Sequence, residues 1–198
     1  MNRSRSFVSA IAACFIPALA TAAPETYTLD TAHVIPSFSV LHLGVSTVTG
    51  LFGNATGKFM IDKTGKTGSL EVRIPTNTIH TGDAKRADGK RSRDEHLKAA
   101  DFFNVAEYPE MTYRSTKFNF AGDRIESVEG TLTLLGVSKP VKLQALNVVC
   151  KPNPMSKKDM CGGDFSGTLT RSDFGMKFGI PSIADEVKLA IAVEAYKD

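Results

Sequence analysis

Val187-Lys188-Leu189-Ala190-Ile191-Ala192-Val193-Glu194 places an aliphatic side chain at every second position, while Lys188 and Glu194 open and close the other face. In an extended chain successive side chains point to opposite faces, so this octet is a strand with one face buried and one in water. The same period of two recurs in Leu70, Val72 and Ile74 against Glu71 and Arg73, and in Val128, Leu132 and Leu134 against Glu129, Thr131 and Thr133. Residues 26–31, 37–43, 47–61, 111–121, 139–150 and 163–171 also read as strands, separated by Gly, Asn, Asp and Pro. About nine strands at this spacing imply an all-β domain with an antiparallel sheet, stacked as a sandwich or closed as a barrel, and only closure removes exposed edges.

One segment departs from the pattern. Ser92-Arg93-Asp94-Glu95 is a capping box, in which Ser92 accepts from the helix start and Glu95 reaches back to the Ser92 amide. It predicts a short helical segment near residues 92–103, with the helix running to about Ala100. Leu97, Ala100, Phe102 and Phe103 give that segment an apolar side suited to covering one mouth of a barrel. The stretch before it, Thr81 to Arg91, is polar with two glycines and reads as a loop.

The chain has 198 residues, 42% of them hydrophobic and 23% charged, which suits one globular domain and excludes intrinsic disorder, a collagen-like fibre and a polytopic membrane protein. Arg3 and Arg5 precede an apolar run from Phe7 to Ala20 that ends in Ala20-Thr21-Ala22, the pattern of a cleaved signal peptide over 1–22. A membrane anchor is the competing reading, but the run is short for a span and is interrupted by Ser9, Pro17 and Thr21. Ile11-Ala12-Ala13-Cys14 resembles a lipobox in composition but comes too early. A mature domain over 23–198, free in the periplasm, is therefore expected. Of 24 Lys and Arg against 21 Asp and Glu, two bases sit in the leader, and the near-neutral remainder argues against nucleic acid as a partner.

Cys14 leaves with the leader, and Cys150 and Cys161 remain as an even pair in an oxidising compartment, read as a disulfide. The residues between them are rich in Pro, Asn, Lys and Ser, so the bridge would pin an exposed loop. The spacing fits neither a zinc knuckle nor a Cys-x-x-Cys redox site.

Signatures of chemistry are missing: there is no Gly-x-Ser-x-Gly, Ser-x-x-Lys or His-Glu-x-x-His, no phosphate loop and no dinucleotide fingerprint. No catalytic residue, metal or cofactor is assigned. His33, His42, His80 and His96 are scattered singly, and would share a metal only if the fold gathered them. The basic run from Lys85-Arg86 to Lys90-Arg91-Arg93 is interleaved with Asp83, Asp88, Asp94 and Glu95, and reads as a solvated face in preference to a phosphate site. In Arg171-Ser172-Asp173-Phe174-Gly175-Met176-Lys177-Phe178-Gly179, large apolar groups stand at alternate positions beside a charged pair. That is either a core strand with a turn at Gly175 or the wall of a pocket, where Met and Phe adapt to an apolar ligand and Arg171 or Asp173 meets its polar end.

A set of ordered motifs begins in Tyr27-Thr28-Leu29-Asp30-Thr31-Ala32-His33 and Phe38-Ser39-Val40-Leu41-His42-Leu43-Gly44. It continues in Arg93-Asp94-Glu95-His96-Leu97-Lys98, Asp101-Phe102-Phe103, Gly130-Thr131-Leu132-Thr133-Leu134, Gly136-Val137-Ser138-Lys139-Pro140 and Arg171-Ser172-Asp173-Phe174-Gly175-Met176. In these motifs the chain resembles the YceI-like, polyisoprenoid-binding family, and the resemblance covers essentially the whole mature chain. It implies an extended, lipocalin-like antiparallel β-barrel whose elongated apolar cavity holds a long-chain isoprenoid or fatty lipid; contact with a membrane surface and a homodimer both stay open, and uptake from a membrane would need an opening that parts, for which the loop from Thr81 to Arg91 and the capped helix are the candidates. Candidate wall residues are Phe38, Val40, Phe174, Met176 and Phe178, with Leu97 and Phe102 at the mouth and His42, Arg93, His96, Arg171 and Asp173 as polar groups for a lipid head. An ordinary Arg93–Asp173 ion pair is the structural alternative. Two departures stand out: Pro36 suggests an edge or bulge, and Leu41, if it faces the mouth, weakens the case for a pyrophosphate head. A carrier for an isoprenoid quinone in electron transfer is the second reading. An enzyme acting on a lipid is the third, and would need His96, Asp173 and Arg93 to converge.

Overall fold

The computed structural model describes residues 23–198; the leader read at 1–22 lies outside the described residues. Ten strands follow in chain order: β1 (Glu25–Leu29), β2 (Ile35–His42), β3 (Ser46–Leu51), β4 (Thr56–Asp62), β5 (Thr67–Pro75), β6 (Glu110–Ala121), β7 (Arg124–Leu134), β8 (Val137–Pro152), β9 (Asp159–Thr170) and β10 (Glu186–Lys197). Strands β1 and β4 to β10 pair in an antiparallel ring that closes where Thr28 of β1 meets Tyr196 of β10. The sheet is therefore a barrel and not a sandwich. Its apolar residues face inward and its Lys, Glu and Thr outward, the reverse of a barrel whose outer surface faces lipid.

β1 pairs with only the last part of β10. From Lys188 to Ala192, β10 pairs with β2, which in turn carries β3 as a hairpin. One position in the wall is thus shared by two short strands, separated by a turn in which the Asp30 carboxylate accepts from the Ala32 amide and lies 2.8 Å from His33 Nδ1. The run read at 47–61 is likewise two strands, broken where the Phe52 amide turns to the Pro36 carbonyl and the Gly53 amide to Thr78 Oγ1. Pro36 is the second residue of β2, just before the β3 pairing begins at Ser37, so it marks a strand start and not a bulge. β3 is tied to the next segment by a single bridge, Leu51 to His80; beyond it, the outer edge from Ser46 to Gly50 has no strand partner among the described residues.

Two bulges reset the alternation. In β6 the register shifts between Ser115 and Lys117, held by Ser115 Oγ, which donates to the Glu129 carbonyl and accepts from the Lys117 amide. In β8 it shifts between Ala145 and Asn147, whose side-chain oxygen accepts from the Asp164 amide. Odd-numbered residues face inward before each bulge and even-numbered residues after it. Gly130 of β7 lets the Tyr113 ring lie over it, so that the Tyr113 hydroxyl donates to the Val141 carbonyl at 2.9 Å; a Cβ there would lie 2.6 Å from the ring.

One end of the barrel carries the β2–β3 turn, the segment 171–185 and the only α-helix among the described residues, α1 (Arg93–Lys98). Both halves of its capping box form: the Glu95 amide donates to Ser92 Oγ, and the Ser92 amide to the Glu95 carboxylate at 2.8 Å. At the other end, Cys150 and Cys161 are bonded directly across the β8–β9 ladder. The strands run on past them to Pro152 and Asp159, so the bridge staples two strands and the turn itself is shorter than expected.

Candidate functional site

The barrel encloses a cavity of about 510 Å³ lined almost wholly by apolar side chains. β10 contributes Val187, Leu189, Ile191 and Val193, the four aliphatic residues of the alternating octet. β2 contributes Phe38, Val40 and His42 at the same spacing. The bulge in β8 explains why Val141 and Leu143 line the cavity before it, and Val148 and Cys150 after it. Cys161 faces the same space beside Cys150, so the cavity reaches from the disulfide end of the barrel to the end that carries α1.

The polar lining gathers at the α1 end: His42, Asp83, Arg86, Arg91, Arg93 and His96. Arg93 and His96, three positions apart, both reach the cavity, as one helical face requires. Arg93 Nε donates to Thr81 Oγ1 at 2.8 Å, and Arg91 donates to the His96 carbonyl at 3.3 Å. His96 Nε2 lies 3.0 Å from the Asp101 carboxylate, and its ring meets Phe102 and Phe178 edge-on at about 5 Å. Asp94 anchors the helix from beneath, accepting from the Thr81 amide and hydroxyl and lying 3.1 Å from His80 Nδ1. Burial pushes the Asp94 carboxyl up, but the Thr81 bonds and His80 together outweigh it and hold the group below the ordinary aspartate value.

The arrangement is an apolar tube with a guanidinium-rich opening. The sequence pattern of the YceI-like domain matches residues 27–195. The chain belongs to the YceI-like family. Protein YceI of Escherichia coli O157:H7 is 35% identical over 163 residues, covering 82% of this chain and 81% of that protein. Among solved structures, the Campylobacter jejuni YceI protein superposes with a TM-score of 0.65 at 28% identity, over 80% of this chain and 90% of that one. A domain from Saccharophagus degradans, described as polyisoprenoid binding and implicated in plant cell wall breakdown, superposes with a TM-score of 0.55 over 87% and 98% of the two chains. At 18% identity that likeness is one of fold.

In this YceI-like barrel Phe38, Val40, His42, Arg93, His96, Leu97, Phe102, Met176 and Phe178 all line the cavity. Two expected residues do not. Phe174 is 2% exposed and packs in the core, and Asp173 stands in solvent. The cause is local: β9 ends at Thr170, and Arg171–Phe174 coil into a 3-10 turn closed by Gly175 at φ +88°, so the strand-like alternation there does not carry Phe174 or Asp173 to the lining. Arg171 touches the cavity, but its guanidinium is committed to the protein. Nε donates to the Ala184 carbonyl, Nη2 to Ile183 and Nη1 to Met176, at 2.9 to 3.1 Å. Burial lowers its pKa against the pull of Asp185.

The Arg93–Asp173 ion pair does not form, since Arg93 turns to Thr81, and the His96, Asp173 and Arg93 constellation required for an enzyme does not assemble. The histidines keep separate company, with His33 beside Asp30, His80 beside Asp94 and His96 beside Asp101. Leu41 is 47% exposed and outside the lining, so its lack of charge says nothing about the head-group end. Arg86 and Arg91, read as part of a solvated face, are exposed and also border the opening. Their acidic neighbours in sequence concealed this: Asp94 is buried under the helix, Asp88 is held by Arg86, and Asp83 accepts from the Arg93 amide.

Proposed function

We propose that the protein binds a long-chain amphiphile, of polyisoprenoid or fatty type, with the chain in the apolar tube and the head at the arginine-bearing opening, and carries it in the periplasm. The observation that carries this reading is the segregation of the lining, apolar throughout its length and basic at one end. At about 0.8 kcal/mol per buried methylene, a dozen methylene equivalents give roughly 10 kcal/mol before ordering and association costs. The tail supplies affinity and the opening supplies selectivity. The polyisoprenoid-binding description of the Saccharophagus relative agrees with this class of ligand. The leader pattern and the Cys150–Cys161 bridge, which persists in oxidising compartments, support export.

Mass spectrometry of an organic extract from protein purified out of its native envelope tests the reading. A long-chain lipid close to one per chain is the expected result, and a quinone among the extracted species would favour the electron-transfer role. An extract free of lipid, together with no binding of a fluorescent fatty acid added in solution, overturns it.

A further inference from the structure

Large apolar side chains are exposed where the cavity opens. Leu43 and Val45, on the β2–β3 turn, are 59% and 85% exposed, and Phe178 and Ile180 are 47% and 36% exposed. The two loops lie side by side. The Leu43 amide donates to the Ser182 carbonyl, the Ala184 amide to the Leu41 carbonyl, and His42 bridges to Ile183. Phe178 then joins this rim to the opening, its ring stacked edge-on against His96 and Phe102. Exposed apolar groups scattered singly need no explanation, but these stand on two hydrogen-bonded loops beside an apolar cavity that Phe178 itself lines.

The rim also carries a set of bases. Lys177 precedes Phe178, Arg91 lines the opening, and Lys85 and Lys90 are the chain neighbours of its lining residues Arg86 and Arg91; none of the four has an acidic partner within 4.0 Å among the described residues. Of the acids at this end, Asp88 is held by Arg86, Asp101 lies against His96, Glu95 accepts from the Ser92 amide, Asp83 from the Arg93 amide and Asp185 from Ser172, which leaves exposed Asp173 as the acid set against these four bases. Apolar tips flanked by lysines and arginines match the boundary of a bilayer, where the tips enter the acyl region and the bases stay among anionic heads.

We infer that the β2–β3 turn and the 178–180 loop form a docking surface for an anionic lipid bilayer, which sets the cavity opening against the membrane. The inference rests on the carrier reading for its purpose, though its residues are defined independently. A chain that gains several kcal/mol by leaving water crosses water slowly. Seating the opening on the bilayer lets it pass from one apolar phase to another without full exposure. The edge of β3 from Ser46 to Gly50, which follows Val45 directly, has no strand partner among the described residues.

Flotation with phospholipid vesicles tests the inference. The protein is expected to float with vesicles of phosphatidylcholine and phosphatidylglycerol in equal parts at low salt, and to bind far less to phosphatidylcholine alone or at high salt. The double variant Leu43→Asn/Val45→Ser removes two exposed tips outside the cavity lining, and Asn accepts the φ of +55° at position 43. It should lower the vesicle-bound ratio roughly tenfold or more. Met155→Ser, on the 90% exposed tip of the opposite end, should leave the ratio unchanged. Binding of a fluorescent fatty acid in solution, measured on the same samples, should be equal in the double variant and the parent, which also shows that the variant is folded. If the parent stays in solution, if the double variant floats as well as the parent, or if phosphatidylglycerol makes no difference, the inference fails. A concentration-dependent dimer abolished by the double variant, without vesicle binding, overturns it in favour of a second copy of the chain. Loss of fatty-acid binding in the parent would instead count against the carrier reading, and leaves the flotation result to be judged alone.

Discussion

Arg171 and Asp173 stand two residues apart in one motif and play unrelated parts. A buried guanidinium that donates to three backbone carbonyls ties the 171–185 segment to itself, and removing it leaves three largely buried acceptors without their donor. Arg171→Ala is expected to cost about 3–5 kcal/mol and lower the melting temperature of the ligand-free protein by roughly 10 °C. Asp173→Ala, at an exposed site away from the cavity, should stay within about 0.5 kcal/mol of the parent and leave lipid selectivity unchanged. Thermal unfolding of both variants separates the roles. Similar losses in the two, or altered head-group discrimination in Asp173→Ala, would contradict the structural assignment.

At the level of elements, α1 has too few residues to persist alone, and its place depends on Ser92, Glu95 and Asp94. Against burial, bonds from Thr81 and the neighbouring His80 hold the Asp94 carboxyl below its ordinary aspartate value when folded, and it regains that ordinary value when unfolded. A depressed folded pKa means that its stabilising contribution is complete above the ordinary carboxylate range and is lost as pH falls through the depressed value. Asp94→Asn should therefore cost about 1–3 kcal/mol at neutral pH, and the difference from the parent should close in acid as pH falls through the depressed value. Urea unfolding at neutral pH and in acid measures both. The capping box was legible because Ser and Glu at that spacing have one common use, and Val187 to Val193 was legible because a strict period of two has one geometry. The breaks at Phe52–Ala55 and after Thr170 were not, because each depends on a partner distant in sequence: Thr78 for Gly53, and Asp185 for the Arg171 and Ser172 amides. Bulges at Ser115 and Ala145 change which parity faces inward without any local signal in composition.

For the whole molecule, closure of eight strands leaves few edges, and the disulfide adds a covalent tie across the ladder at one end. With a sequence separation of 11, its chain-entropy effect is about 2–3 kcal/mol in the loop-closure account. Cys150→Ser/Cys161→Ser should show a loss of that size in chemical unfolding, and the exported protein should yield no free thiol under denaturing, non-reducing conditions. Two thiols per chain would remove the bridge from the exported form. Cys161 is almost fully buried, and both cysteines line the far end of the cavity. Access to the sulfurs from within then follows the route a lipid tail takes. A short tail leaves that route open, whereas one long enough to fill the tube shields the bond from a small reductant. The rate at which the bridge is reduced thereby becomes a depth gauge, calibrated in carbon atoms and readable without a label.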